Sequence, residues 1–480
     1  MATEALAGEQ LGGAESKSWW VERHSIDPIP LEARNGKLWT SFTIWAALNA
    51  NVLSIAAGAV GIGLKLPIWA CLVAIVVGSL FGGFLTAMHA QQGPWLGLPQ
   101  MIQSRAQFGF FGNLPASLGA IFTFYVYGVL TFVFVDQGLS ALLGWSTVTC
   151  VVVAAVVAYA LALIGYRVVH LANAGIALLS GVLFVLFAIP ILGRIGQIHY
   201  AGAFTWTAFL FVVSFEVVSQ LTNACYMSDY TRYLPRETKG RYVFIAAFGG
   251  GTGAAILFTA VGVFAGALNF NAFNTDAASW LGALYPAIAT LLVVALVLCL
   301  DVVNAMNFYS FYETSLALVT SRGGRVSAIT SRAAVTGACV VVCAVSAVAM
   351  SSNLINDMGN LVSAILYFII PWSAINLTDY FILRKGHYDA EEIAERRGRY
   401  GLVNWRGLGV YVLGFAVQIP FITSAVPNFT GPVASAMGGL NFAWLVGFAV
   451  SAGGYWLVMR DRSEAGVAAA GGTARDASGR

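Results

Sequence analysis

Apolar runs of about 20 residues, the length a spanning helix needs, recur down the whole chain with short polar stretches between them. Twelve such segments are read, at roughly 39–63, 67–90, 115–142, 146–165, 171–193, 205–227, 243–268, 280–318, 332–351, 358–383, 407–426 and 434–459. The eighth is long enough to run past a bilayer. Polar residues inside these runs carry the most information, because lipid offers them no hydrogen-bond partner. The run Leu296–Glu313, LVLCLDVVNAMNFYSFYE, sets Asp301, Asn304 and Asn307 at successive i, i+3 steps, on one side of a helix. A charge at bilayer depth costs on the order of 2.5–3.5 kcal/mol, so it faces an interior cavity or glues one helix to another. The first segment, ALNANVLSIAAGAVGIG, has Asn49, Asn51 and Ser54 ahead of Gly58, Gly61 and Gly63. The sixth, FEVVSQLTNACYMSDY, has Glu216, Ser219, Gln220, Thr222 and Asn223 where a lipid-facing helix would carry Leu or Val. Broken helices whose backbone lines a midplane cavity are the device of secondary transporters.

Composition narrows the class further. Hydrophobic residues make up 58% and charged residues 10% of 480 positions, against about 25% charged in a soluble chain. An all-α integral membrane protein of 12 transmembrane helices is expected, with residues 38–460 as the transporter domain. Residues 1–37 read as a cytoplasmic N-terminal segment without a signal-peptide core, and residues 461–480 as a disordered cytoplasmic tail. If the N-terminus is cytoplasmic, outside loops hold only Lys65 and Arg194, so 23 of the 25 basic residues lie inside (25 − 2). The net charge of +3 is then a matter of loops, and no nucleic-acid partner is expected. Six cysteines all fall within apolar segments with no CxxC pair, and read as small buried hydrophobes. Five scattered histidines give no metalloenzyme spacing, so neither a cofactor nor a metal is expected, and an enzyme is not.

Three polar blocks stand at expected inner boundaries: GLPQMIQSRAQFG after the second segment, SDYTRYLP after the sixth and TDYFILRKG after the tenth. Asp229 and Arg232 in the second block either mark the end of a span or take part in gating. With WAALNANVLSIAAGAVG in the first segment, these blocks resemble the nucleobase–cation symporter family of purine, cytosine, allantoin and hydantoin permeases. The likeness runs from about Trp20 to Met459. It implies a five-plus-five inverted-repeat, leucine-transporter-like fold with two extra helices. It also implies substrate between helices one, three, six and eight, and a cation between helices one and eight. By resemblance the substrate amides fall at Asn51 and Asn307, with Ser219 and Gln220 from helix six. Relatives often place a stacking tryptophan there, which this chain lacks, and Tyr125 or Tyr127 of helix three offers a substitute. Helix one would give the cation backbone carbonyls around Ala47 and Ala50. Sodium-coupled relatives carry adjacent hydroxyls on helix eight, where this chain has Asp301 and Val302.

The residue types suit that cargo. A planar heterocycle wants amides, which donate and accept in pairs, and a flat face to stack on. Asn51, Gln220, Asn223 and Asn307 supply the first; Tyr125 or Tyr127, Phe215 and Phe308 supply the second, unless they serve only packing. Glu216 can pair with a cationic group, hold a proton, or bind a cation with Asp301. A lone carboxylate short of neutral oxygens favours H+ over Na+ as the coupling ion, although a carboxylate can also coordinate sodium. The expectation is a monomeric secondary transporter in the plasma (inner) membrane, in contact with lipid, importing a small heterocycle with both termini cytoplasmic. A transporter-derived solute sensor and a sodium-coupled permease for another substrate are the alternatives.

Overall fold

The computed structural model describes residues 27–164, 166–319, 328–350, 354–425 and 428–477. Helical elements occupy all twelve expected segments: Leu38–Asn49 with Val52–Gly63, Ile68–Ala90, Leu114–Leu143, Thr147–Ile164, Tyr166–Gly193, Trp206–Thr231, Gly240–Thr275, Ala289–Val319, Ala328–Ala349, Leu354–Leu383, Trp405–Ala416 and Ala443–Ala477. Among the described residues, eight are each long and apolar enough to cross a membrane, and the first pair, bent by 56° at its break, makes a ninth such span. The antiparallel strands Thr423–Ala425 and Asn428–Thr430 form the one small sheet of the described chain.

Three boundaries differ from the sequence reading. The eighth span begins at Ala289 and not near 280. Residues Ala277–Gly282 form their own short helix, capped by Asp276, whose side chain accepts from Ser279 N, and Pro286 opens a separate turn. The eleventh segment is helical only to Ala416; Pro420, which has no N–H to give, sits in a single 3-10 turn leading to the hairpin. The twelfth starts at Ala443, beyond Gly438 and Gly439, whose φ of 71° and 85° no helix accepts. It continues to Ala477, through the tail expected to be disordered, as an alanine-rich backbone readily does. Residues 1–26 and 478–480, and with them most of the expected N-terminal segment, lie outside the described residues.

Packing decides where a cavity can form. The second span lies along the sixth, the third along the eighth, and the first against the seventh, while the tenth packs on the twelfth. The second and sixth meet almost backbone to backbone. A Cβ at Gly78 would lie 2.5 Å from Val213 O, and one at Gly82 the same distance from Val217 O. Small residues four apart allow this approach between membrane helices. It leaves the next residues of the sixth span, Glu216 and Gln220, on the margin of the bundle's interior.

Candidate functional site

The break in the first span is written into two residues. Ala50 (φ −98°, ψ 68°) leaves the helix, and Asn51 (φ −145°, ψ 174°) is extended before the chain re-enters helix at Val52. Asn51 closes both ends of the gap: its Nδ2 donates to Leu48 O at 2.8 Å and its Oδ1 accepts from Ser54 N at 3.2 Å. Asparagine is among the best residues for such a cap. Ala50 N still reaches Ala46 O, whereas the carbonyls of Ala47 and Ala50 receive no hydrogen bond among the described residues. The sixth span is tightened and not opened. Its α-helix ends at Leu221, residues Thr222–Tyr226 form a 3-10 run, and Met227–Thr231 resume the α-helix. A 3-10 stretch inside a helix commonly marks a functional position.

These two irregular spans line a cavity together with residues of the third, seventh, eighth and tenth spans, a concave, partly polar setting of the kind small-molecule sites use. Asn51, Tyr127, Ser219, Gln220, Asn223 and Asn307 all border it, as do Glu216 and Phe215. Sequence reasoning did not assign Asn49, Ser54, Thr123, Thr222 and Tyr226, which line it too. Asn49 and Thr222 were visible as polar residues within apolar runs. Thr123 carried a weaker signal, one helical turn before Tyr127.

Tyr125 does not belong to the site. Two residues from Tyr127, it is turned about 200° around the helix, and its hydroxyl donates to Ser346 Oγ of the ninth span at 2.9 Å. Asp301 is likewise absent from the lining, and so are Ala47 and Ala50. The eighth span shows the cavity Val303 and Asn307. At about 100° per residue, Asp301 lies more than about 120° around the helix from both, and Asn304 about 60–100°. The three polar residues therefore do not serve one face. Asp301 and Asn304 are buried all the same, and Asp301 Oδ1 and both amide atoms of Asn304 lack hydrogen-bond partners among the described residues. Glu216 borders the cavity and Asp301 does not; Glu216 Oε2 accepts from Ser79 Oγ at 3.1 Å, across to the second span.

The cavity amides differ in what they have left to offer. Asn51 is engaged in its cap. Asn49 Nδ2 donates to Trp45 O at 3.1 Å, and its Oδ1 takes Gln220 Nε2 at 3.4 Å. Asn223 Oδ1 accepts from Tyr226 OH at 2.6 Å. Asn307 makes no hydrogen bond to the described residues, so its donor and acceptor pair faces the cavity whole. Tyr127 hydrogen-bonds Thr222 at 3.4 Å, which holds its ring at the cavity wall. Tyr226 is wedged between Trp45 and Phe124, with ring centroids 5.9 Å and 5.6 Å away. Among the described residues the lining holds no Lys, Arg or His.

A second polar region lies past the cavity, where the tenth span ends. Asp379, in the π-helical turn Thr378–Leu383, accepts from Gln107 Nε2 (2.8 Å), Tyr388 OH (2.7 Å), Tyr455 OH (3.2 Å) and Arg384 Nε (3.2 Å). Burial works to lower the Arg384 guanidinium, but the Asp379 carboxylate outweighs it and holds Arg384 above its ordinary value. His89 stacks on Trp372 at 4.7 Å and shares a 2.9 Å hydrogen bond with Ser373. Asp229 Oδ1 accepts from Gln100 N at 2.9 Å, and Arg232 is fully buried 3.9 Å from Glu313. The loop after the second span is thus bound to the sixth and tenth spans.

Residues 28–447 match the family described as permease for cytosine/purines, uracil, thiamine, allantoin. The chain is 29% identical over 448 residues to YxlA of Bacillus subtilis, provisionally named a purine-cytosine permease, covering 92% of this chain and 96% of that protein. Its fold is that of Mhp1, a nucleobase-cation-symport-1 family transporter solved in a closed conformation with bromovinylhydantoin bound, at a TM-score of 0.70 and 17% identity over 92% of this chain and 96% of that one. A Na+-coupled sialic acid symporter shares the fold at a TM-score of 0.57 and 13% identity, over 90% and 91%.

Proposed function

Since this chain belongs to the family of permeases for cytosine, purines, uracil, thiamine and allantoin, and is a multi-pass membrane transporter and not an enzyme, we propose that its cavity imports a neutral nitrogen heterocycle by cation symport. The observation that carries this is the set of amides around one cavity, with Asn307 uncommitted and Tyr127 beside it. Paired donors and acceptors complement a flat ring whose edge alternates N–H and C=O, and the aromatic wall offers a stacking face. Alternating access would then expose the cavity to each side in turn.

A proton is the favoured coupling ion, carried by Asp301. Its Oδ1 meets neither a cation nor a donor among the described residues, the condition in which a membrane carboxylate holds a proton. The unbonded carbonyls of Ala47 and Ala50 favour a second reading, a sodium ion at the break in the first span. Concentrative uptake into vesicles separates the two. Proton coupling predicts uptake that rises as external pH falls, collapses with a protonophore and needs no sodium. Asp301→Asn should still bind and exchange substrate but fail to concentrate it. Strict sodium dependence at constant pH would decide for the second reading, and absence of any accumulation for a solute sensor.

A monomer in the plasma membrane with both termini cytoplasmic completes the proposal. Cysteines introduced at Lys65 and Arg194 should be labelled from outside intact cells, and those at Arg241 and Lys385 should not. Outside labelling at position 385 would invert the second half of this topology.

A further inference from the structure

One cavity group has no task in that proposal. Glu216 is 1% exposed, yet it borders the cavity. Its Oε2 is held by the Ser79 hydroxyl at 3.1 Å, and its Oε1 has no hydrogen-bond partner among the described residues. Glu216 Cβ packs so closely on Gly78 of the second span that a Cβ there would lie 2.6 Å from it. No basic side chain among the described residues lines the cavity to neutralise it. Every other polar side chain on the wall is an amide or a hydroxyl, able to donate as well as accept. A ring that brings two donors side by side would hold this carboxylate in its ionised form, which only accepts.

We propose that Glu216 is a specificity-determining residue that accepts two adjacent N–H groups from the substrate. The favoured cargo is then a ring with a lactam N–H beside an exocyclic amino group, as in the 2-amino-6-oxo edge that guanine presents among the purines. One donor goes to the unpartnered Oε1 and the other to Oε2, which keeps a lone pair beyond the one Ser79 uses. Asn307 and Gln220 remain for edges that mix donors and acceptors. This inference rests on the nucleobase-transport reading of the cavity.

Equilibrium binding to the purified full-length protein in lipid nanodiscs, at fixed pH and salt, provides the test. Guanine and hypoxanthine differ only in the 2-amino group, so the wild-type protein should hold guanine roughly 10- to 150-fold tighter. Methylation of guanine at N1 should remove a similar factor. Glu216→Gln, whose amide donates where the carboxylate accepts, should bring guanine down toward the level of hypoxanthine and lower hypoxanthine, which makes only the N1–H contact, by a smaller factor. Ser79→Ala should move the same ratio in the same direction by less. Should Glu216→Gln fail to fold, the three wild-type affinities still decide. Equal binding of guanine and hypoxanthine, or a ratio untouched by Glu216→Gln, overturns the proposal while leaving nucleobase transport standing. Failure of the wild-type protein to bind any ring overturns both.

Discussion

Asp379 and Asp301 are both buried aspartates, and they live under opposite conditions. Asp379 gathers donors from the loop after the second span, from the segment after the tenth and from the twelfth, leaving its oxygens fully engaged. Asp301 sits in the middle of the eighth span with Oδ1 bare, one turn from an Asn304 that also lacks partners. The same contrast separates the two polar regions as wholes. Around Asp379 the groups satisfy one another and hold segments far apart in sequence; around the cavity, Asn307 and Glu216 Oε1 are left open. A buried polar group that is satisfied fixes structure, and one that is not costs stability unless something else binds it. The open groups of Asn307 and Glu216 border the cavity, where a ligand would meet them.

That contrast can be broken at either end. The largest effect should come from Asp379→Asn, which strands the Arg384 cation and turns a donor toward donors. A loss of about 3–5 kcal/mol is expected, read as a fall in thermal stability, with ring binding in the folded fraction unchanged. Unaltered melting would mean that the Asp379 network anchors nothing. Asn307→Ala should do the reverse, weakening ring binding about 5- to 150-fold, or roughly 1–3 kcal/mol, at wild-type stability. Asn51→Ala should lose on both counts. It removes the cap, at about 0.5–2 kcal/mol, and loosens the cavity wall, so an affinity loss without any stability loss would contradict the capping role. The smallest effect sharpens the comparison most: Asp301→Asn, chemically identical to the first substitution, should shift stability by no more than about 0.5 kcal/mol, because no donor is abandoned. A destabilisation matching that of Asp379→Asn would reveal a hidden partner for Asp301.

Much of this was legible in the sequence, for a physical reason. In a membrane, polarity within an apolar run is costly, so Asn51, Glu216, Gln220, Asn223 and Asn307 announced a cavity before any helix was placed. Direction around a helix was not legible. Tyr125 and Tyr127 look interchangeable on paper, and two residues of rotation send one to Ser346 and the other to the cavity. The same rotation separated Asp301 from Asn307, although an i, i+3 spacing had suggested one face. The Asp379 network was not legible either. TDYFILRKG read as the end of a span, and nothing local could pair Asp379 with Gln107, 272 positions away, or with Tyr455. The helix ends were missed where prolines and glycines competed with an unbroken apolar pattern, as at Pro286, Pro420 and Gly438.

Asn51 bridges the break in the first span with its own side chain, so the bend stands without cargo. A helix that had to unwind on arrival would have its affinity multiplied by the small fraction of molecules already unwound. Here the bend is already capped in the empty structure, so no unwinding step is needed before a ring can bind. A carrier whose bend persists when empty has no helix to melt and rewind between one cargo and the next.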